Sequence, residues 1–264
     1  MKQKWYRLCN RRRWVPVVGT VALMALLWLP LYLLGDPSII AFYVIGGLTL
    51  LCSLSIGSAY TGKLMDPMVH HMHNACDPYP LLAECDTQLA YVKNRRDRQT
   101  LVVNRSAALC AMDRDADGLD SLEALNIDDL YCLPMWRYCY YNNAATAALA
   151  CGQREKAMVY RQKADQTATS ITNPKQQAVV QASTNDWLTE VCLLDGDYQG
   201  AAAHLARQAP PTDLYQQVNR AYQIARVEKA QGNLAVARFQ LEFVVQKGNR
   251  LAVVDKAKTL LEDM

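Results

Sequence analysis

Leu193-Leu194-Asp195-Gly196-Asp197-Tyr198-Gln199-Gly200-Ala201 and Ala230-Gln231-Gly232-Asn233-Leu234-Ala235-Val236-Ala237 follow one pattern: a helical stretch, a glycine, and an alanine five places beyond it. Glycine takes the left-handed turn that closes a helix without a Cβ penalty. Ala148-Leu149-Ala150-Cys151-Gly152 followed by Ala157 is a third copy, and Asp113 with Gly118 a degenerate fourth. With Asp113, Gly152, Gly196 and Gly232 aligned, the small residues five places on are Gly118, Ala157, Ala201 and Ala237. Seven places back stand Ser106, Ala145, Thr189 and Ala225, and four beyond the first set stand Leu122, Arg161, Leu205 and Leu241. Small residues on both arms of a helical hairpin let two axes approach closely, and the larger apolar residue fills the groove beside them. One such hairpin cannot bury its own faces, so it must stack on its neighbours.

Outward from these stretches, residues 77–264 read as helix after helix. Leu234, Ala237, Leu241 and Val244 share one face, as do Leu251, Val254, Ala257 and Leu260. Asp77-Pro78, Asn173-Pro174 and Thr212 predict helix starts, and alternating strand patterns are nearly absent. The pattern resembles the tetratricopeptide repeat, a helix-turn-helix unit in which Gly closes the first helix and Ala opens the second. The resemblance covers roughly 100–247, with 249–262 expected as a capping helix. Spacings of 39, 44 and 36 residues exceed the family's period of about 34, and most aromatic positions of its first helix are missing. The expected fold is all-α, a two-helix transmembrane hairpin followed by a repeat solenoid; an irregular helical bundle is the alternative.

The hairpin is read from the other end of the chain. Trp14 to Gly35 are 22 consecutive uncharged residues, and Pro37 to Gly62 are another 26. At ~1.5 Å rise per residue either run crosses a ~30 Å hydrocarbon core. The organisation expected is a basic cytoplasmic segment 1–13, a hairpin 14–62 with spans near 14–35 and 39–60, a juxtamembrane linker 63–76, and the helical domain 77–264. A signal peptide fits less well, because the first run is long, a second follows at once, and no small-residue cleavage site intervenes. Six bases within residues 1–13 predict cytoplasmic N- and C-termini. Seven of the nine cysteines follow the spans without paired spacing, in keeping with reduced cytosolic thiols. Ser53 and Gly57 would admit a close helix, within the hairpin or in a homo-oligomer.

The formal charge of +3 belongs to the N-terminal segment; residues 14–264 sum to −3, which argues against nucleic acid as a partner. Asp113-Arg114-Asp115-Ala116-Asp117-Gly118 begins like a calcium loop, but the twelfth position is Ala124 rather than a bidentate Glu. His70, His73 and Cys76 are metal-type ligands without a second pair, and Cys132 and Cys139 flank Pro134. No metal or cofactor is expected. The aromatic run Tyr131 to Tyr141 predicts packing between repeats, with a binding patch as the alternative. The chain lacks a nucleophile elbow, a zincin motif, a P-loop and a dinucleotide fingerprint, so an enzyme is not expected. The resemblance implies a scaffold that holds a protein or peptide at the membrane on the face of its first helices. Carried over, that face comprises Asn142, Thr146, Asp186, Glu190, Asn219, Tyr222, Arg226 and Lys229. The alternatives are an accessory subunit recognised through its spans and an enzyme with an unfamiliar site.

Overall fold

The computed structural model describes residues 65–92, 95–125 and 133–264, with isolated helical positions at 18, 19, 21, 22 and 25. The basic segment 1–13 and, apart from those positions, the hairpin 14–62 lie outside the described residues, as do Tyr131 and Cys132. Among the described residues no helix is long and apolar enough to cross a membrane. The chain divides into two compact bodies, Met1–Met68 with Ala90–Val92, and Val69–Leu89 with Lys93–Met264. In the first, Met68 N–H bonds the Met65 carbonyl at 2.9 Å and opens a helix. The second holds the helical domain.

Eleven helices are described: α1 Asp66–Ala75, α2 Tyr79–Leu89, α3 Arg95–Cys110, α4 Asp115–Glu123, α5 Pro134–Ala150, α6 Arg154–Ala168, α7 Pro174–Leu194, α8 Tyr198–Ala206, α9 Leu214–Ala230, α10 Leu234–Lys247 and α11 Val253–Glu262. They pack as sequential antiparallel pairs, α3–α4, α5–α6, α7–α8 and α9–α10. The first helix of each pair also lies against the first helix of the next. The architecture is all-α and repeat-like.

The four aligned breaks make the same turn. Asp113, Gly152, Gly196 and Gly232 have φ of 60°, 73°, 73° and 84°. In each, the next residue donates its N–H to the carbonyl five places back: Arg114 to Leu109, Gln153 to Ala148, Asp197 to Cys192 and Asn233 to Glu228, at 2.8–3.0 Å. This satisfies carbonyls that a helix end would otherwise orphan. Asp113 occupies the left-handed position without being glycine, a conformation that Asp tolerates better than most residues. The offsets are buried as the spacing requires. Ala145, Ala157, Ala201, Ala237, Ser106, Thr189 and Leu122 are closed to solvent, and Leu205 and Leu241 nearly or fully so.

Caps fix where helices begin. The Asn173 side chain accepts from Lys175 and Gln176 N–H ahead of Pro174, and Asp197 accepts from Gly200 N–H at 2.8 Å. For α9 the cap is Asp213, one residue beyond the predicted Thr212. Asp213 accepts from Gln216 N–H at 2.9 Å, and Gln216 Oε1 reaches back to Thr212 N–H at 3.0 Å. The reciprocal pair satisfies two orphan donors, and only the carboxylate at 213 has the register to reach the third helical N–H. The aromatic run is divided: Tyr138 and Tyr140 are buried, Trp136 and Tyr141 partly so. Tyr140 donates its hydroxyl to the Leu122 carbonyl at 3.1 Å, tying α5 to the end of α4.

The end of α1 meets the α10–α11 turn. The Cys76 carbonyl accepts from Arg250 N–H at 3.2 Å, and the Ala111 carbonyl from Ala252 N–H at 3.0 Å. Asn249 Nδ2 donates to the Ala75 carbonyl at 2.8 Å, and Lys256 pairs with Asp113 at 2.5 Å. Cys76, in the predicted linker, is closed to solvent in a cluster with Val218, Leu241, Val244 and Leu251. A repeat stack needs its terminal faces covered. Here α11 covers α10, as a capping helix should, and the α10–α11 turn also bonds the α1 end and the α3–α4 turn.

Candidate functional site

The residues inferred for the ligand face fall into two groups. Asn142 and Thr146 lie on α5, where the Thr146 hydroxyl donates to the Asn142 carbonyl at 3.0 Å. Asn142 Oδ1 accepts from Arg161 at 3.2 Å, so its amide is engaged in packing α6. Asp186, Glu190, Asn219, Tyr222 and Arg226 gather between α7 and α9. Glu190 accepts from Arg226 at 2.6 Å and from Gln223 Nε2 at 3.1 Å, and the Arg226 guanidinium lies 5.6 Å from the Tyr222 ring centre. Asn219 donates to the Tyr215 carbonyl at 2.9 Å, and Lys229 stands half-buried in the last turn of α9.

Two parallel first helices at this contact line up residues spaced by one helical turn, which explains the grouping. Asp186 and Glu190 are four apart on α7, as are Tyr222 and Arg226 on α9. Gln208 Nε2 donates to Asp186 Oδ1 at 2.7 Å. Gln208, Arg220, Gln223 and Tyr215 complete the site and were missed from sequence. Gln208 and Arg220 come from outside the aligned columns, and Gln223 sits on the buried side of α9, so no repeat position marks them.

The electrostatics centre on Asp186. Asp186 is exposed at the surface, yet its carboxylate is bonded by Gln208 and flanked by Glu190 and Arg220. The loss of surrounding water pushes its pKa up to about 6, the like charge of Glu190 adds to the rise, and Arg220 opposes it. Burial also raises the Tyr222 phenol, against the opposing charge of Arg226. Because the folded chain holds the Asp186 proton more tightly than the unfolded chain, whose value is about 4, its contribution to stability is complete below about pH 4. That contribution is lost as pH rises through about 6. A carboxyl-carbon NMR titration of Asp186 is expected to show a midpoint near pH 6. Glu190→Gln should move it downward but not to the ordinary range, since burial is the larger cause. An ordinary midpoint in the native chain would show that its neighbours leave this carboxyl freely hydrated.

The remaining chemistry-bearing groups have structural partners. His73 bonds Asp213 at 2.9 Å and tilts over Tyr215 at 5.3 Å, while Cys76 is sealed in the core and its thiol pushed up to about 11 by burial and by Asp213. Asp113, Asp115 and Asp117 form the α3–α4 turn and the start of α4; Asp117 pairs with Arg114 at 2.5 Å, and burial raises Asp115. Among the described residues no group of three His, Cys, Asp or Glu is arranged to hold a metal ion. Cys76, Cys85, Cys110, Cys139, Cys151 and Cys192 are free thiols. A shallow cleft of about 550 Å³ opens between the first turn of α5 and the second half of α6, with Arg137, Tyr141, Lys163 and Thr167 on its walls.

Comparison with protein families, curated proteins and solved structures finds no match for this chain. Any functional reading therefore rests on the residues themselves.

Proposed function

We propose that the protein is a membrane-anchored, tetratricopeptide-like scaffold that binds a protein or peptide at the cytoplasmic face of the membrane. The observation that carries the reading is the α7–α9 cluster, where Asp186, Glu190, Tyr222 and Arg226 stand together on consecutive first helices. First helices line the ligand side in the family that the repeat pattern resembles. The site offers an exposed carboxylate, an aromatic ring and a guanidinium, groups that recognise a polar peptide rather than perform a reaction. The two uncharged runs of residues 14–35 and 39–60 supply the tether.

The test is crosslinking and co-purification from native membranes. Tyr222→Ala with Arg226→Ala is expected to reduce recovery of the captured partner about tenfold or more, as for loss of two anchoring side chains. The helical circular dichroism should be unchanged. Recovery equal to that of the native chain would remove this cluster as the docking face. Exchanging the spans for an unrelated hairpin separates docking, which should survive, from recognition through the spans, which should not.

A further inference from the structure

Charge on the helical domain is sorted between two edges. Each first helix is followed by an antiparallel partner, so α3, α5 and α7 run the same way and begin at the same edge of the stack. Cross-bonds fix the register: Asn143 of α5 donates to the Val103 carbonyl of α3, and Tyr138 of α5 to the Val180 carbonyl of α7. This register sets the opening turns of the three helices level. On that edge stand Arg95, Arg96, Arg98, Arg137, Lys163 and Lys175, all exposed, with the cleft between α5 and α6 in their midst. Leu133, 56% exposed, projects from the same edge immediately before α5. Among the described residues its acids include Asp97 and Asp165, the latter held by the buried Arg161 at 2.5 Å. The opposite edge carries the turns within the helix pairs and holds Asp113, Asp115, Asp117, Asp195 and Asp197. There Asp113, Asp117 and Asp195 are paired with Lys256, Arg114 and Arg154.

We infer that the edge bearing Arg95–Arg98, Arg137, Lys163 and Lys175 lies on the anionic headgroups of the membrane to which the chain is tethered. This deepens the proposed function and rests on its membrane hairpin. Long basic side chains near an anionic leaflet bind headgroup phosphates while an exposed Leu dips among the glycerol groups. The acidic edge then faces away, because a like-charged surface repels it.

The test uses the full chain with vesicles of neutral phosphatidylcholine, or of phosphatidylcholine with about one third phosphatidylglycerol. Flotation reports the hairpin. The edge is reported by modification of Arg96 and Arg98 with phenylglyoxal and of Lys163 and Lys175 with an acetylating reagent, with Lys258 as reference. Flotation is expected with both vesicles, and labelling at the edge about fivefold slower on the anionic ones, a difference erased by high salt. Arg137→Glu with Lys163→Glu should restore labelling at Arg96 and Lys175. Flotation with both and equal labelling would overturn the edge and leave the hairpin standing. Flotation on anionic vesicles alone would uphold the edge and overturn the hairpin, and flotation with neither would overturn both.

Discussion

Replacing Arg161 by Ala is expected to lower the unfolding free energy by about 3 kcal/mol, whereas replacing it by Leu leaves stability unchanged or raises it by up to about 2 kcal/mol. Arg161 stands in the column filled by Leu122, Leu205 and Leu241 in the other pairs and is only 4% exposed. Its guanidinium bonds Asp165 at 2.5 Å, Thr184 at 2.8 Å and Asn142 at 3.2 Å, and lies 5.5 Å from the Trp187 ring centre. It therefore links α5, α6 and α7. Alanine removes those links and leaves a cavity among Asn142, Thr184 and Trp187. Leucine restores the groove-filling shape and spares the several kcal/mol of desolvation that a buried charge costs. The polar groups left behind keep other partners, since Thr184 donates to the Val180 carbonyl at 2.8 Å and Tyr138 to Asn142 at 3.4 Å. Thermal unfolding of the two variants decides: a drop of about 6–12 °C for Arg161→Ala and none for Arg161→Leu is expected. Equal damage in both would mean that the charge-assisted bonds, not the shape, hold the second pair to the third.

Leu241→Ala is expected to cost about 3 kcal/mol and to make Cys76 reactive, although the two lie at opposite ends of the domain sequence. Leu241 is closed to solvent in the cluster that contains Cys76, Val218, Val244 and Leu251. In the native chain the Cys76 thiol is buried and its pKa pushed up to about 11, so neither access nor thiolate favours modification. A loss of about 3 kcal/mol raises the opened population on the order of a hundredfold. The rate at which a thiol reagent labels the Cys76 peptide, followed by mass spectrometry, should rise accordingly. A stable variant with an unreactive Cys76 would show that the meeting of α1 with α9–α11 does not depend on this cluster.

Much of the fold was legible because the repeat is written in backbone terms. A left-handed turn selects Gly152, Gly196 and Gly232, and close helix approach selects Ala145, Ala157, Ala201 and Ala237; both demands act on single positions and leave single-residue marks. Even the degenerate copy at Asp113 makes the same turn, with φ of 60°. The ligand face was legible only through the repeat register, which brings Asp186, Glu190, Tyr222 and Arg226 together. Their partners Gln208, Gln223 and Arg220 obey no period, so pattern reading passed over them. Arg161 stood out as the exception in a Leu column, but its bonds come from three helices and no spacing rule foretells them.

The chain's order of residues determined by itself that the domain is a succession of helices, where most of them begin and end, and which small residues lie between them. These are local consequences of φ preferences, capping and periodic burial, and each acts within a few residues. Tertiary structure alone decided that the α10–α11 turn closes onto α1 and the α3–α4 turn, that Arg161 is buried with its charge, and that Asp186 lies beside Glu190, Gln208 and Arg220. Those outcomes depend on the sum of contacts by which pair stacks on pair, and they bring residues 174 positions apart to within 2.8 Å. Sequence distance carries no record of that sum.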